Sequence, residues 1–336
     1  MCRREAAELE FNMKIALVGV GGMGSVHFNI YKGMMDEIEF AAVCDIRLER
    51  IQSIVGDLPI KLYTDLDEML AAEKPDLLDI CTPTYLHVEM AIKAMEAGAH
   101  VLSEKPMSLT KEDADKLLDT IKRTGKRYMT AQVVRFMNAY VYLRGLIESK
   151  KYGKLESLNM HRVSQTPRWS WDNWFLDEKR SGHVIMDLMI HDIDFMQSVL
   201  GEPKEIVGVY HPMKDNFTNY AIANYIYDDC SATIETGWYN YQKMSFEVGF
   251  RALFENGCLL FKDGKLTECG EAVDFNNTEK IGETGINISN VDGYAGEVKY
   301  FIDCIKQEKT AEICTPESAA ATIALVERTL KSLTKV

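Results

Sequence analysis

Short apolar segments alternate with amphipathic segments over the first part of the chain. Each apolar segment is rich in branched or small residues, which predicts a buried strand, and we place strands at 14–18, 39–45, 77–81, 100–104 and 127–133. Amphipathic patterns predict helices at about 25–35, 83–96 and 111–124. Strands and helices that alternate in this way are typical of a parallel sheet covered by helices on both faces.

Beyond about residue 133 the pattern changes. Helices are predicted at 140–149 and 182–200, and longer strand-like segments follow at 205–211, 219–227, 230–241, 245–254 and 257–261. Alternation of apolar and polar residues in several of them predicts a mostly antiparallel sheet with one free face. Such a face is often an interface between copies, so we expect a homodimer or homotetramer through this sheet. Two amphipathic helices follow at 293–307 and 316–331.

Composition and charge narrow the class of protein. The 336 residues carry a formal net charge of −13 and contain no long run of Lys and Arg, which argues against a nucleic-acid partner. No apolar stretch approaches the ~18 residues of a membrane span. The eight cysteines are dispersed and form no CxxC pair, which indicates a reduced, cytoplasmic protein without disulfides or structural zinc. Residues 1–12 are polar and are expected to precede the fold.

A glycine-rich turn follows the first strand and opens the first helix, and it consists of Gly19, Val20, Gly21, Gly22, Met23 and Gly24. The match to GxGxxG predicts a dinucleotide site because the helix N-terminus offers free N–H groups to a pyrophosphate. In this pattern the first glycine permits a tight turn, the second a close approach of the ligand, and the third close packing of helix on strand. The alternative is a glycine-rich turn without a ligand.

Asp45 ends the second strand, 21 residues after Gly24, close to the ~20 expected of an acid that binds the adenosine ribose. A carboxylate there repels a 2′-phosphate, so NAD is favoured over NADP. Arg47 and Arg50 lie just beyond and are able to offset that repulsion, which keeps NADP possible.

Two segments carry the candidate chemistry. Lys105 follows the fourth strand, at the sheet edge where ligands of open parallel sheets collect, and it is suited to donate to a substrate hydroxyl. Asp187 and His191 are four residues apart, so a helix places both on one face. His191 titrates near neutrality and suits proton transfer. Alternatives remain: a surface lysine paired with Glu104, a structural His–Asp contact, or a metal site made by His183, Asp187 and His191.

Further residues are candidates for binding a substrate. The segment 168–180 holds three of the four tryptophans, and aromatic faces pack on the C–H faces of sugar rings. Trp169 and Trp174 are therefore candidates, although the segment is equally compatible with a self-packed loop. The segment 155–164 before it is interpreted as a strand, and alternation along a strand allows only one of His161 and Arg162 to face the pocket. Arg135 either lines the cleft or pairs with an acid.

These motifs, in this order, resemble the Gfo/Idh/MocA family of oxidoreductases (glucose–fructose oxidoreductase, inositol dehydrogenase, rhizopine catabolism). The resemblance extends from Lys14 over nearly the whole chain and includes Thr82, Pro83 and His87, Glu104-Lys105-Pro106, and Gly182 through His191. It implies that Lys105 binds the reacting hydroxyl and helps place the nicotinamide ribose, that Asp187 contacts substrate and that His191 is the acid/base. It also implies that Thr82, Pro83, His87 and Glu104 lie on the cofactor side.

The resemblance implies an α/β architecture: a Rossmann domain (13–133), a substrate-binding and oligomerisation α+β domain with a large open, mostly antiparallel sheet (134–315), and a C-terminal helix (316–336) that packs back near the first domain. The expected reaction moves a hydride between NAD(P) and a hydroxyl-bearing carbon of a sugar, inositol or related polyol. Two alternatives stay open, namely an NAD-dependent lyase or glycosidase that uses transient oxidation, and a dinucleotide-binding sensor without turnover. No resident metal is expected.

Overall fold

The computed structural model describes residues 12–213, 218–241, 245–274 and 293–336. The predicted polar extension thus lies almost wholly outside the described residues. The strands are β1 Lys14–Val18, β2 Glu39–Cys44, β3 Lys61–Tyr63, β4 Leu77–Ile80, β5 His100–Glu104, β6 Tyr128–Ala131, β7 Leu155–Gln165, β8 Glu205–His211, β9 Asn219–Ile226, β10 Ser231–Tyr239, β11 Glu247–Phe254, β12 Gly257–Lys262, β13 Lys265–Glu268, β14 Glu271–Val273 and β15 Thr334–Lys335.

The helices connect these strands and cover the sheets. They are α1 Gly22–Gly33, α2 Leu48–Val55, α3 Leu66–Glu73, α4 His87–Glu96, α5 Lys111–Thr124, α6 Asn138–Ser149, α7 Glu178–Ser181, α8 Ile190–Leu200, α9 Gly293–Lys306 and α10 Pro316–Ser332. Short 3-10 turns precede α4 and α6, and a π-helical turn, Ile185–Met189, leads into α8. No helix in the described part of the chain is both long enough and apolar enough to cross a membrane.

The first sheet is parallel, with strand order β3-β2-β1-β4-β5-β6. Its central strands are apolar and almost wholly buried, as expected for a sheet covered on both faces. This confirms the predicted parallel sheet. The apolar pattern of the sequence did not identify β3, because a segment of three residues is too short, and this one too exposed, to give a strand signal. The chain passes from β3, at one edge of the sheet, to β4 beside β1, so the strand order reverses at β1. Because the strands are parallel, the carboxyl ends of β1, β2, β4 and β5 lie at the same edge of the sheet.

The second sheet has nine strands in the order β14-β13-β12-β11-β7-β10-β9-β8-β15. It is mostly antiparallel as predicted, but β7 pairs with β10, and β8 with β15, in parallel. Along β9 buried residues alternate with half-buried ones, because one face packs under helices and the other is open. The helix α8 covers β7 and β10, and α10 packs against both α8 and α5.

The helix α9 packs on the first sheet rather than on the second. It contacts α1, β5 and β6, and Phe301 and Val298 join the apolar core formed by β1 and α1. The helix α10 contacts β6 and α5 on one side and α8 and β8 on the other. The helix α10 therefore ties the two sheets together, because it contacts elements of both.

Candidate active site

The glycine turn has the backbone that a dinucleotide requires. Gly19 adopts φ +87°, and a Cβ on it would lie 2.7 Å from the carbonyl oxygen of Cys81. At Gly24 a Cβ would lie 1.8 Å from the carbonyl oxygen of Gly19, so only glycine lets α1 pack this closely on β1. A Cβ at Gly21 would meet nothing within 4 Å. Since no side chain caps α1 and its first turn holds no acid, its N-terminus fits the anionic pyrophosphate of NAD.

Asp45 lies at the end of β2, beside the glycine turn. Its carboxylate accepts hydrogen bonds from the Val20 amide at 2.9 Å and from the Arg47 amide and guanidinium at 3.0 and 3.1 Å. Burial opposes ionisation, but the contacts with Arg47 and Val20 outweigh it and lower the pKa of Asp45. The acid is thus ionised and held next to the turn, in the position suited to ribose hydroxyls.

Thr82, Pro83 and His87 follow β4 at the same edge. Thr82 and Pro83 are half-buried, but His87 is buried, with Nδ1 2.8 Å from the Pro106 carbonyl and Nε2 2.9 Å from the Thr82 carbonyl. Burial lowers the pKa of His87, and a neutral imidazole donates to only one of the two carbonyls. The side chain of His87 therefore ties the loop after β4 to the loop after β5, and its place on the cofactor side stays a prediction.

Glu104 also turns away from the cleft. One carboxylate oxygen accepts from the Lys105 amide at 3.1 Å, and the other faces His27 Nε2 at 3.3 Å. On the far side of the ring, His27 Nδ1 lies 2.7 Å from Asp79, which also accepts from the Tyr31 hydroxyl at 2.8 Å. Burial acts to lower the pKa of His27, but Asp79 outweighs it and raises that pKa well above its usual range.

In the Asp79–His27–Glu104 chain the Glu104 carboxylate is buried beside the imidazole, and its cofactor-side role stays a prediction. Sequence reasoning missed His27 and Asp79. The sequence signal for this pair was a histidine three residues after Gly24 on an otherwise apolar helix face. A histidine in such a position is expected to have a buried hydrogen-bond partner. The chain joins α1, β4 and β5, and so it fixes the backbone of Lys105 relative to the glycine turn.

Lys105 and Asp187 meet across the two sheets. Lys105 Nζ lies 2.8 Å from Asp187 Oδ1 and 2.7 Å from the Asp187 carbonyl oxygen. Their side chains are 13% and 16% exposed, so the pair stands at a partly solvated surface. The structure thus brings together two residues that are 82 positions apart in the sequence, at the edge of the first sheet that also holds the glycine turn.

His191 lies one turn beyond Asp187. Burial, together with the positive charges of Lys105 and Arg162, lowers the pKa of His191 well below its usual range. Its Nδ1 is buried, and the described residues offer that atom no hydrogen-bond partner. A neutral imidazole with an unused ring nitrogen beside an ammonium group is able to accept a proton from a hydroxyl.

A π-helical turn carries Asp187, whereas the sequence predicted one uninterrupted helix over 182–200. The turn spans Ile185–Met189, and the Ile190 amide bonds to the Ile185 carbonyl, five residues back. Before it, Gly182 adopts φ +67°, and a Cβ there would lie 2.5 Å from Met186. Apolar periodicity does not distinguish a π turn from an α turn, and such turns occur often at functional sites.

Arg135 and Arg162 pair with acids, which for Arg135 is one of the two alternatives that the sequence leaves open. Arg135 is buried and donates twice to Asp194, at 2.7 and 2.6 Å. Arg162 faces α8 and donates to Asp192 at 3.0 and 2.9 Å. His161 then points to the opposite, open face of the second sheet, in register with Gly249. Of the two strand residues only Arg162 lies on the His191 side, and it acts there through its charge.

The tryptophan-rich segment divides into two parts. Trp174 stacks on Phe175 at a ring distance of 3.9 Å, and Phe175 meets the buried Trp238 edge-on. Trp169, however, lies against the glycine turn, with ring atoms 3.8 Å from the position of a Gly22 Cβ. The segment is therefore partly self-packed, as one reading of the sequence expected, and the contact of Trp169 is with the first domain.

The proposed metal triad is not assembled. His183 Nε2 faces the Leu176 carbonyl at 3.3 Å, and its ring packs near Trp238. Asp187 is engaged by Lys105, and among the described residues the clusters with metal-ligand spacing are centred on His27 instead. The geometry of His183, Asp187 and His191 gives no support to three ligands on successive turns.

Comparison with known proteins identifies both parts of the chain. The family model described as oxidoreductase family, NAD-binding Rossmann fold (Gfo/Idh/MocA) matches residues 13–132, and the Gfo/Idh/MocA C-terminal domain matches residues 140–259. Together the two matches cover more than half of the chain.

Curated relatives share about 30% of aligned residues. Identity is 29% over 192 residues with D-glucoside 3-dehydrogenase of Escherichia coli, covering 57% of this chain and 55% of that protein. It is 29% over 197 residues with myo-inositol 2-dehydrogenase of Thermotoga maritima, covering 58% and 57%. It is 32% over 195 residues with 2,7-anhydro-N-acetylneuraminate hydratase of Mediterraneibacter gnavus, covering 57% and 50%. The chain spans little more than half the length of these relatives.

Solved structures with the same fold align over almost the whole chain. UDP-N-acetylglucosamine 3-dehydrogenase from Acidithiobacillus ferrooxidans superposes with a TM-score of 0.76 at 24% identity, covering 96% of this chain and 98% of that one. Levoglucosan dehydrogenase in complex with NADH and levoglucosan superposes with a TM-score of 0.79 at 17% identity, covering 96% and 97%. At these identities the likeness concerns the fold.

Proposed function

Because the chain belongs to the Gfo/Idh/MocA oxidoreductase family, we propose that it transfers a hydride between NAD and a hydroxyl-bearing carbon of a sugar, inositol or related polyol. The observation that carries this proposal is the 2.8 Å contact between Lys105 and Asp187, with His191 one helical turn away. An ammonium, a carboxylate and an imidazole from two domains meet at the sheet edge that also holds the glycine turn. A sensor without turnover has no need of this arrangement.

Each residue has a distinct part in the proposed reaction. NAD, when bound, supplies the hydride acceptor or donor. In the oxidation direction neutral His191 takes the hydroxyl proton, and its lowered pKa keeps the imidazole neutral at physiological pH. Lys105 stabilises the alkoxide that develops on the substrate, as a preorganised donor should. Asp187 holds Lys105 in place and accepts from a neighbouring hydroxyl of the substrate.

The decisive experiment is a substrate screen with the purified protein. Thermal shifts with NADH present identify the sugars, inositols and sugar acids that bind, because a ligand of the native state raises the Tm. NAD⁺ is then mixed with each of them, and NADH absorbance is followed. We expect NADH to form with at least one polyol and the reverse reaction to consume it. Binding of polyols without any redox change in either direction would contradict hydride transfer to free NAD.

A second candidate is a hydratase or lyase that uses NAD only transiently. The likeness to 2,7-anhydro-N-acetylneuraminate hydratase, at 32% identity, is the observation that favours it. The same three residues serve such a reaction, since the oxidation is reversed before the product leaves. This candidate predicts that substrate is consumed only when NAD is present and that no net NADH accumulates, which mass spectrometry of the product distinguishes from oxidation.

We propose NAD rather than NADP as the working cofactor. Asp45 is ionised beside the ribose position, where it repels a 2′-phosphate. Arg47 is already bonded to Asp45, and Arg50 donates to the Val20 carbonyl at 3.0 Å. Both guanidinium groups therefore already have a hydrogen-bond partner. Titration of the protein with NADH and NADPH tests this preference, and tighter binding of NADPH would overturn it.

We also propose that the open face of the second sheet joins copies of the chain into a homodimer or homotetramer. Val207, Leu253 and Leu260 are apolar and exposed on strands of this sheet. Sedimentation of the purified protein measures the assembly directly. Leu260→Lys is expected to weaken it without loss of the folded state, whereas a wild-type protein that sediments as a monomer at all concentrations would contradict the proposal.

A further inference from the structure

The segment 168–180, here called the tryptophan strap, runs from β7 to the turn before α8 and lies beside the cofactor edge of the first domain. Trp169 reaches the glycine turn, with its ring 3.8 Å from the position of a Gly22 Cβ. Trp171 lies 5.8 Å, measured from ring centroid to guanidinium carbon, from Arg47. Both contacts are made with the part of the first domain that holds the glycine turn and Asp45.

Both indoles are strongly exposed, although tryptophan normally gains from burial. Trp169 is 74% exposed and Trp171 is 43% exposed. Two further exposed apolar side chains stand around the same edge: Ile46, which follows Asp45, and Tyr85, which follows the end of β4. A concentration of exposed apolar side chains beside a binding turn is typical of a site that is completed by its ligand.

The strap itself is tightly built. Arg180 donates to Asp172 at 2.8 Å and to Asp177 at 3.0 Å, which closes the segment on itself. Asp172 and Asn173 adopt φ of +50° and +48°, the left-handed region that Asp and Asn enter more readily than other residues with side chains, and they form the bend in the strap. Within the strap Trp174 stacks on Phe175, and the Trp169 ring meets Phe175 edge-on at 5.8 Å, so Trp169 is supported from behind while its exposed part faces the glycine turn.

We propose that Trp169 and Trp171 belong to the cofactor site. Trp169 closes the pyrophosphate side over Gly22, and Trp171 together with Arg47 forms a platform for the adenosine end. An aromatic ring with a guanidinium group near it suits a purine because both offer a flat, polarisable face. The second domain thus encloses a cofactor bound by the first, and the strap slows its release.

This inference rests on NAD binding and not on the chemistry proposed for Lys105 and His191. It also replaces the sequence-based assignment of Trp169 to the substrate. A sugar at the reacting centre lies beside Lys105, whereas the contacts of Trp169 and Trp171 are with Gly22 and Arg47. The strap therefore acts on cofactor affinity in the absence of any substrate.

The test is the rate of NADH release. Protein loaded with NADH is mixed rapidly with excess NAD⁺, and the loss of energy transfer from tryptophan to the reduced nicotinamide is followed. We expect Trp169→Ala and Trp171→Ala each to raise the release rate and the Kd for NADH by about tenfold, the effect of one aromatic stacking contact. Trp171→Phe keeps a ring over the guanidinium and should recover most of the loss.

Tyr241→Ala is the matched control, because it removes an aromatic ring of similar exposure, 65%, outside the strap. Equal Tm values by calorimetry establish that each variant is folded. If both tryptophan variants release NADH at the wild-type rate, the strap does not bind the cofactor, and the inference is overturned while the proposed reaction stands. If they release it faster but no polyol is oxidised, the inference stands and the proposed reaction fails. Absence of NADH binding by the wild type overturns both.

Discussion

Two kinds of ion pair lie along one helical segment, residues 187–194, and they differ in burial. Lys105–Asp187 stands at the cleft, with side chains 13% and 16% exposed. In the Arg162–Asp192 and Arg135–Asp194 pairs the arginine side chains are 4% exposed and both aspartates are fully buried. The segment thus carries three aspartates within eight residues, and each is paired with a cation from another element.

The two kinds of ion pair differ in the type of cation and in how much water surrounds it. Each buried arginine donates two hydrogen bonds to its aspartate, which a guanidinium does well and which holds both side chains rigidly. Lys105 presents a single ammonium group, partly solvated, and binds both the side chain and the backbone of Asp187. The Lys105 ammonium group is partly exposed at the cleft and is able to donate to a substrate hydroxyl. The two arginines are buried and donate only to groups that belong to the core of the fold. The comparison predicts loss of turnover on one side and loss of stability on the other.

The largest effect is expected for Lys105→Ala. Removal of the donor that stabilises the alkoxide should lower kcat by about a thousandfold, while NADH binding and the Tm change little because the pair is partly solvated. Steady-state kinetics and NADH titration measure the two outcomes. The control is Lys111→Ala, which removes an exposed lysine paired with Asp115 on α5. Turnover of Lys105→Ala within tenfold of wild type would show that the ammonium group has no catalytic part.

A smaller loss of turnover is expected for His191→Asn. The amide keeps the approximate size of the ring but does not accept a proton, so kcat should fall by about a hundredfold. The Kd for NADH should stay close to wild type, since the ring is not in the glycine turn. A fall in kcat that is matched by an equal loss of folded protein would instead assign His191 a structural role.

Arg162→Met tests the buried side of the comparison. It leaves the Asp192 carboxylate buried without its cation, and the free energy of unfolding should fall by about 3–5 kcal/mol. Chemical denaturation measures the change. In the double variant Arg162→Met/Asp192→Leu the uncompensated charge is also removed, and we expect most of the lost stability to return. If the double variant is no more stable than the single one, the ion pair is not what stabilises this part of the core.

The smallest effect concerns pH. Burial and the charges of Lys105 and Arg162 lower the pKa of His191, and the neutral ring is the form that accepts a proton. Polyol oxidation should therefore persist as the pH falls through about 6.5, the ordinary value for histidine, and be lost only at lower pH. The residual activity of His191→Asn should lack this acid limb. An acid limb of kcat/KM centred above the ordinary value would contradict the assignment.

Much of the first domain could be predicted from the sequence. Strands at 14–18 and 100–104 are confirmed residue for residue, and helix 111–124 is found as Lys111–Thr124. These elements have strong local signals, namely a continuous apolar run or a cap followed by an amphipathic repeat. The strand β3 and the π-helical turn at Ile185–Met189 were missed, because the former is short and exposed and the latter has the same apolar pattern as an α-helix.

Short-range patterns were enough to identify the glycine turn, the acid at the end of β2, and Lys105, Asp187 and His191 as candidates, since each rests on residues close together in the chain. The folded chain was needed to show that Arg135 and Arg162 are bonded to buried aspartates. It was also needed to show that His161 lies on the open face of the second sheet and that Trp169 lies on the glycine turn. The physical reason is that periodicity shows which residues share a face, whereas what covers that face comes from distant segments. A charged side chain takes its role from the partner and the amount of water it meets there.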